Sequence, residues 1–327
     1  MIERSGEIAG LATSALWVVS SIAFAAAGRR MGATRLNLLR SVLAAFVLLA
    51  LQAFLKGNPW PNIGSDRTWY LAVSGLLGLA IGDQFLFAGY VLVGARTTTL
   101  LMTLAPAVAA TLSWIVFGQT MVAMAIAGMI ITLFGVLWVA AERPSLTSSI
   151  TRAQQRKGVW LGVGAALCQG VGMVLASNGL RGDIDAMSAQ TVRMSAGAVG
   201  IIVIAFVVSR MHGAPSKATA SSDTSTMEKS LTPSTIIALK SPHENALCAT
   251  GIVTMVIGTF TGPILGVWCS LYALQKLDVG IATTLMSLVP VMILPLTRFT
   301  EGQWPSARAI AGACVAVAGV AVMASAS

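Results

Sequence analysis

The chain has 327 residues, of which 56% are hydrophobic and only 10% charged, and its mean hydropathy is +0.80. Because soluble globular domains carry roughly 25% charged residues, this composition excludes an ordinary soluble domain and predicts a membrane protein. The formal net charge of +9 does not indicate nucleic-acid binding, since the Lys and Arg residues lie between apolar stretches and form no basic run interleaved with aromatics.

A helix needs about 20 apolar residues to cross a bilayer, and in chain order the sequence predicts about ten such helices. The first one leads directly into the next, so we expect it to be retained rather than cleaved as a signal. The predicted helices are centred near Val18, Ala45, Ala80, Ala107, Ile131, Ala166, Val199, Gly258, Val289 and Val315. The expected fold class is an all-α membrane protein, multi-pass in a cell membrane, with a bacterial inner membrane as the expected location.

The second part of the chain repeats the first. Residues 99–140 align without a gap on residues 283–324, which places Pro106 on Pro290. Each copy would hold an odd number of helices, five, so the two copies enter the membrane from opposite sides as inverted repeats. Such repeats place a substrate site at their interface near the bilayer centre.

We expect the first five-helix repeat to occupy residues 1–150 and the second residues 151–327. Residues 210–245, between the seventh and eighth predicted helices, are rich in Ser, Thr, Lys and Pro and predict a flexible polar insertion. His212 and His243 lie there without Cys or paired carboxylates at ligand spacing, so we expect no metal site. The chain also carries no glycine-rich phosphate loop, and we expect no cofactor.

Asp83 lies well inside the third predicted helix, about ten residues or 15 Å before the turn that follows it. A carboxylate at that depth costs roughly 2.5 to 3.5 kcal/mol on insertion scales, so it should face a wet cavity or a partner. Asp83 is therefore a candidate for binding a proton or an amine at a substrate site. The alternative is a structural role, either in a pair with an Arg or in a helix–helix hydrogen bond through Gln84.

Arg40 and Arg193 occupy equivalent positions in the two copies, in the second and seventh predicted helices. If both point inward, they could clamp a carboxylate or phosphate, because a guanidinium offers two parallel donors to a planar anion. Two alternatives stay open. The side chains could extend to the lipid headgroups, or Arg40 could neutralise Asp83 on the adjacent helix.

Further substrate-binding candidates are polar or aromatic side chains within the helices, which can replace the hydrogen bonds that a small molecule makes to water. They are Trp17, Gln84, Tyr90, Gln169, Asn178, Trp268 and Tyr272. Tyr90 could equally belong to the aromatic belt at the membrane interface. Pro106 and Pro290 remove backbone hydrogen bonds inside their helices and predict paired kinks, either hinges or static bends.

Two similar segments carry a family resemblance. Gly89-Tyr90 is followed by GARTTTLLMTLAPAVAATLSWIVFGQ, and residues 274–278 are followed by VGIATTLMSLVPVMILPLTRFTEGQ. This pattern resembles the EamA-type repeat of the drug/metabolite transporter superfamily, and the resemblance covers both halves outside the polar insertion. It implies a permease that moves small metabolites, often outward, with both termini in the cytoplasm. The positive-inside rule, by contrast, places the termini outside, so the orientation stays open.

The expected function is therefore secondary transport of a small polar metabolite, such as an amino acid or related compound, by alternating access. Export is the favoured direction, proton coupling through Asp83 is a hypothesis, and a monomer or weak homodimer is expected in the bilayer. We do not expect an enzyme, because no catalytic motif or Ser/His/Asp set can be assembled. The alternative is a membrane-embedded enzyme acting on a lipid-linked or small-molecule substrate.

Overall fold

The structure of the chain is a computed structural model. The structure describes residues 5–117, 122–140, 151–180, 184–212, 249–276, 285–286, 288–301 and 306–325. Throughout this part of the chain the regular elements are helices, which confirms the predicted all-α class. Most of the predicted insertion lies outside the described residues, and its first three residues, 210–212, form the end of a helix.

The first half contains six α-helices and one π-helical segment among its described residues. They are α1 (Ser5–Met31), α2 (Ala33–Lys56), α3 (Ser65–Gly75), π1 (Leu76–Gly82), α4 (Asp83–Leu101), α5 (Leu104–Phe117) and α6 (Ala123–Ala140). In the described part of the second half the same order of elements recurs, with two long helices, an 11-residue helix and a seven-residue π-helical segment before the last three helices. Its elements are α7 (Arg152–Gly179), α8 (Ala186–His212), α9 (Ala249–Thr259), π2 (Phe260–Gly266), α10 (Val267–Lys276), α11 (Val289–Glu301) and α12 (Ala307–Ala324).

Within the described residues, six helical segments are long and apolar enough to cross a membrane. They are Ser5–Met31, Ala33–Lys56, Ser65–Leu101, Arg152–Gly179, Ala186–Val207 and Ala249–Ser270. Two shorter apolar helices, Ile126–Trp138 and Ala307–Val322, accompany them. The chain is thus a multi-pass membrane protein by the length and composition of its helices.

Gly94 divides α4 into two helical pieces. Its φ of 83° lies in the left-handed region, which glycine adopts without the steric cost of a Cβ atom. The long helical segment that begins at Ser65 therefore ends at Val93, and the chain turns back at Gly94. This is the turn predicted between the third and fourth helices.

The two π-helical segments occupy equivalent places in the two copies. Leu76–Gly82 and Phe260–Gly266 are separated by the same number of residues as Pro106 and Pro290. Both segments interrupt a long helix and lead without a break into the next α-helix. In proteins, π-helical turns occur frequently at functional sites. The side chains around these two segments are therefore candidates for a functional site.

The helices α6 and α12 make reciprocal contacts at glycines. A Cβ atom on Gly135 would lie 2.7 Å from the carbonyl oxygen of Gly312, and one on Gly319 would lie 2.7 Å from that of Gly128. Since Gly128 aligns with Gly312 and Gly135 with Gly319, each copy presents the same surface to the other, as at a two-fold interface. The pairing order also requires the two helices to run antiparallel.

The helices α2 and α8 form a second antiparallel contact between the copies. At one end Lys56 pairs with Asp185, and Gln52 donates a hydrogen bond to the Ser188 hydroxyl at 3.1 Å. Farther along, the two helices share an apolar cluster with π1. Its buried members are Ala44, Ala45, Leu48, Leu79, Met194 and Ala198.

Pro106 and Pro290 lie in the first turns of their helices, α5 and α11. The first backbone N–H groups of a helix have no intrahelical acceptor, so a proline there breaks no hydrogen bond. The interruption falls just before each helix, at Met102–Thr103 and at Leu288. The two prolines thus lie directly after a break in the helix rather than inside an unbroken one, and the predicted kinks and hinge motion at these positions stay predictions.

Candidate functional site

Asp83 and Arg40 form a buried ion pair. Asp83 is the first residue of α4, directly after π1, and Arg40 projects from α2. Each residue is only 4% exposed, and Arg40 Nη2 donates a hydrogen bond to Asp83 Oδ2. The structure therefore supports the alternative in which Arg40 neutralises Asp83. Such a pair compensates two charges that would each be costly alone in a low-dielectric interior.

Asn37 holds this pair to the π-helical segment. It lies one turn before Arg40 on α2, so the two side chains share a helix face. The Asn37 Oδ1 atom accepts hydrogen bonds from Arg40 and from the Ser41 hydroxyl, both at 3.2 Å. Its Nδ2 atom donates to the carbonyl oxygen of Ala80, in π1, at 3.1 Å. Asn37 thus fixes the Arg40 guanidinium relative to the segment that presents Asp83.

Gln169 brings the second half of the chain to the same carboxylate. From α7, its Nε2 atom donates to Asp83 Oδ1 at 3.1 Å and to the carbonyl oxygen of Gly78 at 3.4 Å. Gly78 leaves room for this approach, because a Cβ atom there would lie 3.2 Å from Gln169 Oε1. Asp83 is therefore bound by side chains from both copies.

Two phenylalanines enclose the Arg40 guanidinium. Its Cζ atom lies 4.9 Å from the ring centroid of Phe87 and 5.7 Å from that of Phe24. The two rings meet edge to face, with centroids 5.1 Å apart. Cation–π contacts of this kind stabilise a desolvated cation. Phe87 lies four residues after Asp83 on the same helix, which is the spacing that places two side chains on one helix face.

Tyr90 and Trp17 belong to the wall of the same cluster. The Tyr90 hydroxyl donates to the Ser21 hydroxyl at 3.1 Å, and its ring centroid lies 6.0 Å from that of Phe87. Trp17 is partly buried against this cluster. Its Nε1 atom lies where a side chain on Gly266 would begin, so the absence of that side chain makes room for the indole.

Arg193 also reaches the Asp83 region, but it forms no ion pair with any described residue. One of its terminal nitrogens lies 3.8 Å from the position of a Cβ atom on Gly78, and its charge interacts with that of Asp83. Its Nε atom is buried and has no hydrogen-bond partner among the described residues. Arg40 and Arg193 thus both approach the acidic centre, and of these two arginines only Arg40 forms an ion pair with a described residue.

Three of the predicted site residues lie away from this centre. Gln84 donates from Nε2 to the Thr34 hydroxyl of α2 at 2.8 Å, and no hydrogen bond joins it to Asp83, Arg40 or Gln169 among the described contacts. Trp268 is 68% exposed and Tyr272 is 42% exposed. Both face outward from the helix bundle, so the structure does not bring them to the Asp83 cluster. Their predicted contact with a substrate stays untested.

A polar cavity of about 840 Å³ opens at one end of the bundle. It is lined by the end of α2, the connection 57–64 and the starts of α3 and α8. Gln52, which lines its wall, is twelve residues from Arg40 along α2, or about 18 Å at 1.5 Å per residue. The cavity therefore lies toward one membrane face rather than at the buried ion pair.

The pair of Lys56 and Asp185 spans the rim of this cavity. Asp185 also accepts hydrogen bonds from the backbone N–H groups of Met187 at 3.0 Å and Ser188 at 3.2 Å, as a helix cap. Partial burial raises the pKa of Asp185, but hydrogen bonds from Lys56 and Ser188 outweigh this effect and hold its pKa below the ordinary value of 3.8. The rim pair joins the first copy to the second.

We expect the stability of the Asp185→Asn variant to be less sensitive to acid than that of the wild type. A carboxyl group whose pKa is lower in the folded state stabilises the fold above its unfolded pKa of about 3.9 and loses that contribution as the pH falls through the folded value. The melting temperature of the wild type should therefore fall more steeply below about pH 4 than that of the variant. Asp66→Asn, at the same cavity, is the control. Parallel curves for wild type and Asp185→Asn would contradict the assignment.

The described residues contain no group of three or more His, Cys, Asp or Glu side chains placed to hold a metal ion. The chemistry available at the Asp83 centre is instead charge pairing, hydrogen bonding and aromatic contact. Buried ionisable groups inside a membrane-spanning bundle mark substrate or ion pathways. Together with the repeated helical units, they define a protein of the membrane transporter class.

Comparison with known proteins places the chain within that class. The model of the EamA-like transporter family matches it twice, over residues 4–141 and 156–325. The chain belongs to this family and is a membrane transporter of the drug/metabolite type. No curated protein matches it. Among the solved structures that are similar in fold is a crystal structure of a protein, with a TM-score of 0.60 and 16% sequence identity over 98% of this chain and 96% of that chain.

Proposed function

We propose that this chain is a secondary transporter with ten transmembrane helices in two inverted five-helix repeats. It moves a small polar metabolite, such as an amino acid or a related compound, by alternating access, with export as the favoured direction. A bacterial inner membrane is the proposed location. The observation that carries the proposal is the buried centre of Asp83, Arg40 and Gln169, because it joins the two copies through charged and polar groups inside an apolar bundle.

The uneven packing of the two ends supports alternating access. The continuous helical segment from Ser65 to Val93 begins beside the polar cavity. At 1.5 Å per residue it is about 43 Å long. Its far end, in α4, packs against α1, α2, α7 and α11. The end where the run begins opens instead into the polar cavity of about 840 Å³. One open end and one packed end are expected of a carrier in a single state of its cycle.

The antiparallel pairing of α6 with α12 and of α2 with α8 supports the inverted repeat. Both pairs join a helix of the first copy to its equivalent in the second. Equivalent helices run in opposite directions when the copies are related by an axis in the membrane plane. Rocking of one copy against the other about these contacts would then exchange the open and packed ends.

We assign proton coupling to Asp83. A proton on this carboxylate would remove its charge, weaken its ion pair with Arg40 and so loosen α4 from α2. Because Gln169 donates to the same carboxylate from α7, the change would also reach the second copy. A single protonation would thereby act on contacts that link both copies.

We expect Asp83→Asn to lower transport per folded molecule by at least tenfold and to remove its dependence on pH, because Asn keeps the acceptor oxygen but cannot take up a proton. The measurement is counterflow of labelled metabolites in vesicles that contain purified protein, from about pH 5 to pH 8. Asp66→Asn, a carboxylate at the rim cavity, is the matched control. Equal transport by Asp83→Asn across this range would remove Asp83 from the mechanism. Product formation without counterflow would support a membrane enzyme instead.

A further inference from the structure

We propose that the transported molecule carries a single carboxylate and that Arg193 binds it. This inference rests on the proposed transport function and names the chemical class of its substrate. In the helix bundle, two arginine side chains approach one carboxylate. In the described residues around this centre, Arg40 and Arg193 carry two positive charges and Asp83 carries one negative charge.

The repeat explains why Arg193 forms no ion pair within the part of the chain that the structure describes. Arg40 of the first copy pairs with Asp83, and Arg193 is the equivalent of Arg40 in the second copy. Asp83 directly follows π1, and the residue that directly follows π2 is Val267. The second copy therefore retains the arginine but has an apolar residue where the first copy has its acid.

The Arg193 side chain is nevertheless held inside the protein. Its backbone is fixed because Gly75 of α3 packs directly against the Arg193 carbonyl group. Its Nε atom is buried without an acceptor among the described residues. A buried donor that lacks a partner costs free energy comparable to a lost hydrogen bond, and more when the group is charged. The Nε atom of Arg40 also lacks a partner among the described residues, but Arg40 pairs with Asp83 through Nη2. Arg193 is therefore the arginine suited to a ligand that supplies the missing acceptor.

A carboxylate satisfies this requirement in both geometry and charge. The Nε and terminal nitrogens of a guanidinium form two parallel hydrogen bonds to a carboxylate. One negative charge also balances the excess positive charge of the centre, whereas a second one would reverse it. The carboxylate is required for binding, and an amino group on the same molecule is not.

The test uses purified full-length protein and a panel of two- to six-carbon carboxylates, each paired with its primary amide. A ligand that binds the folded state raises the melting temperature. We expect monocarboxylates to raise it, and their amides and the matching dicarboxylates to do so at least tenfold more weakly in apparent affinity. If no monocarboxylate stabilises the wild type, or if amides act as well as acids, the inference is overturned.

Two variants separate ligand binding from a structural role. Arg193→Gln should weaken carboxylate binding by roughly 10- to 100-fold, since a hydrogen bond to a charged group is lost. Without ligand, its melting temperature should equal or exceed that of the wild type, because the removed charge is partly buried and forms no ion pair with a described residue. Arg193→Lys keeps the charge but not the paired donors, and it should bind with intermediate affinity. Arg30→Gln, at the exposed end of α1, is the control.

The outcomes distinguish this inference from the transport proposal. Carboxylates that stabilise the wild type and show counterflow in vesicles support both. Counterflow of neutral compounds that is unchanged in Arg193→Gln overturns the inference and leaves transport standing. Carboxylate binding lost in Arg193→Gln, without counterflow by the wild type, overturns the transport proposal alone. A lower melting temperature for ligand-free Arg193→Gln with unchanged carboxylate binding would show a structural role and also overturn the inference.

Discussion

Alanine at position 83 is expected to lower the free energy of unfolding by about 3 to 5 kcal/mol, because it leaves the Arg40 charge buried without its counterion. Gln169 and Asn37 cannot replace that counterion, since a neutral amide supplies an acceptor but no charge. The two rings against Arg40, Phe24 and Phe87, stabilise a cation by only about 2 kcal/mol. The loss is measured as the shift of the unfolding transition of purified protein in detergent.

The double variant Arg40→Met/Asp83→Leu tests whether this loss comes from the unpaired charge. Replacing both partners of a buried pair with apolar residues of similar volume is often neutral or stabilising by about 1 to 4 kcal/mol. We therefore expect the double variant to recover most of the stability while transport stays lost. The rim pair is the matched control, since Lys56 and Asp185 have side chains that are 40% and 45% exposed. Disrupting an exposed pair should cost no more than about 1 kcal/mol.

Equal losses for the buried and the rim pair would contradict the assignment of a desolvated ion pair. So would a double variant that is less stable than Asp83→Ala. Either result would mean that the packing of Asp83 and Arg40, rather than their charges, determines the stability of this region. Recovery of stability without recovery of transport would instead separate the two roles that the pair carries.

Much of the fold followed from periodicity and repetition. Apolar stretches of helical length predicted the all-α class, and the alignment of Pro106 with Pro290 located both copies in the chain. The same alignment is visible in the structure as two π-helical segments at equivalent places. The turn at Gly94 was predictable because glycine is favoured where φ is positive. Kinks or hinges at the two prolines stay predictions, since both residues lie in the first turns of their helices, directly after an interruption.

The candidate site was predictable only in part. Depth alone singled out Asp83, because an isolated carboxylate inside a membrane helix requires a partner. The directions in which the neighbouring side chains point could not be predicted from depth. Gln84 follows Asp83 in sequence, but successive residues in a helix point about 100° apart, and it bonds to Thr34 instead. Trp268 was selected for its residue type and lies on the outer surface.

The remaining partners required tertiary information. Gln169 reaches Asp83 from α7, a contact between helices far apart in the sequence that no periodicity predicts. Asn37 was accessible in principle, since it lies one turn before Arg40 on the same face. The π-helical segment adds a further obstacle, because i→i+5 hydrogen bonding changes which side chains share a face. A regular helical wheel drawn through Leu76–Gly82 therefore misplaces Asp83 relative to α3.

Alanine at position 75 is expected to destabilise the protein by about 1 to 3 kcal/mol or more and to abolish transport, because a Cβ atom there would overlap the Arg193 backbone. The overlapping atoms of Arg193 are its carbonyl oxygen, carbonyl carbon and Cα. Backbone atoms cannot rotate away as a side chain can, so α3 and α8 must move apart. That movement would carry Arg193 away from Asp83, and transport should fall further than stability alone explains.

The control for this variant is Gly251→Ala, which makes the same chemical change in another helix. A Cβ atom on Gly251 would meet only the side chains of Met31 at 3.3 Å and Arg30 at 3.5 Å. Because the Met31 side chain is flexible and can shift, we expect little loss of stability and normal transport. Melting temperature and vesicle counterflow are measured for both variants at equal amounts of folded protein. If Gly75→Ala matched Gly251→Ala in both measurements, the close crossing of α3 and α8 would not be what positions Arg193 beside the acidic centre.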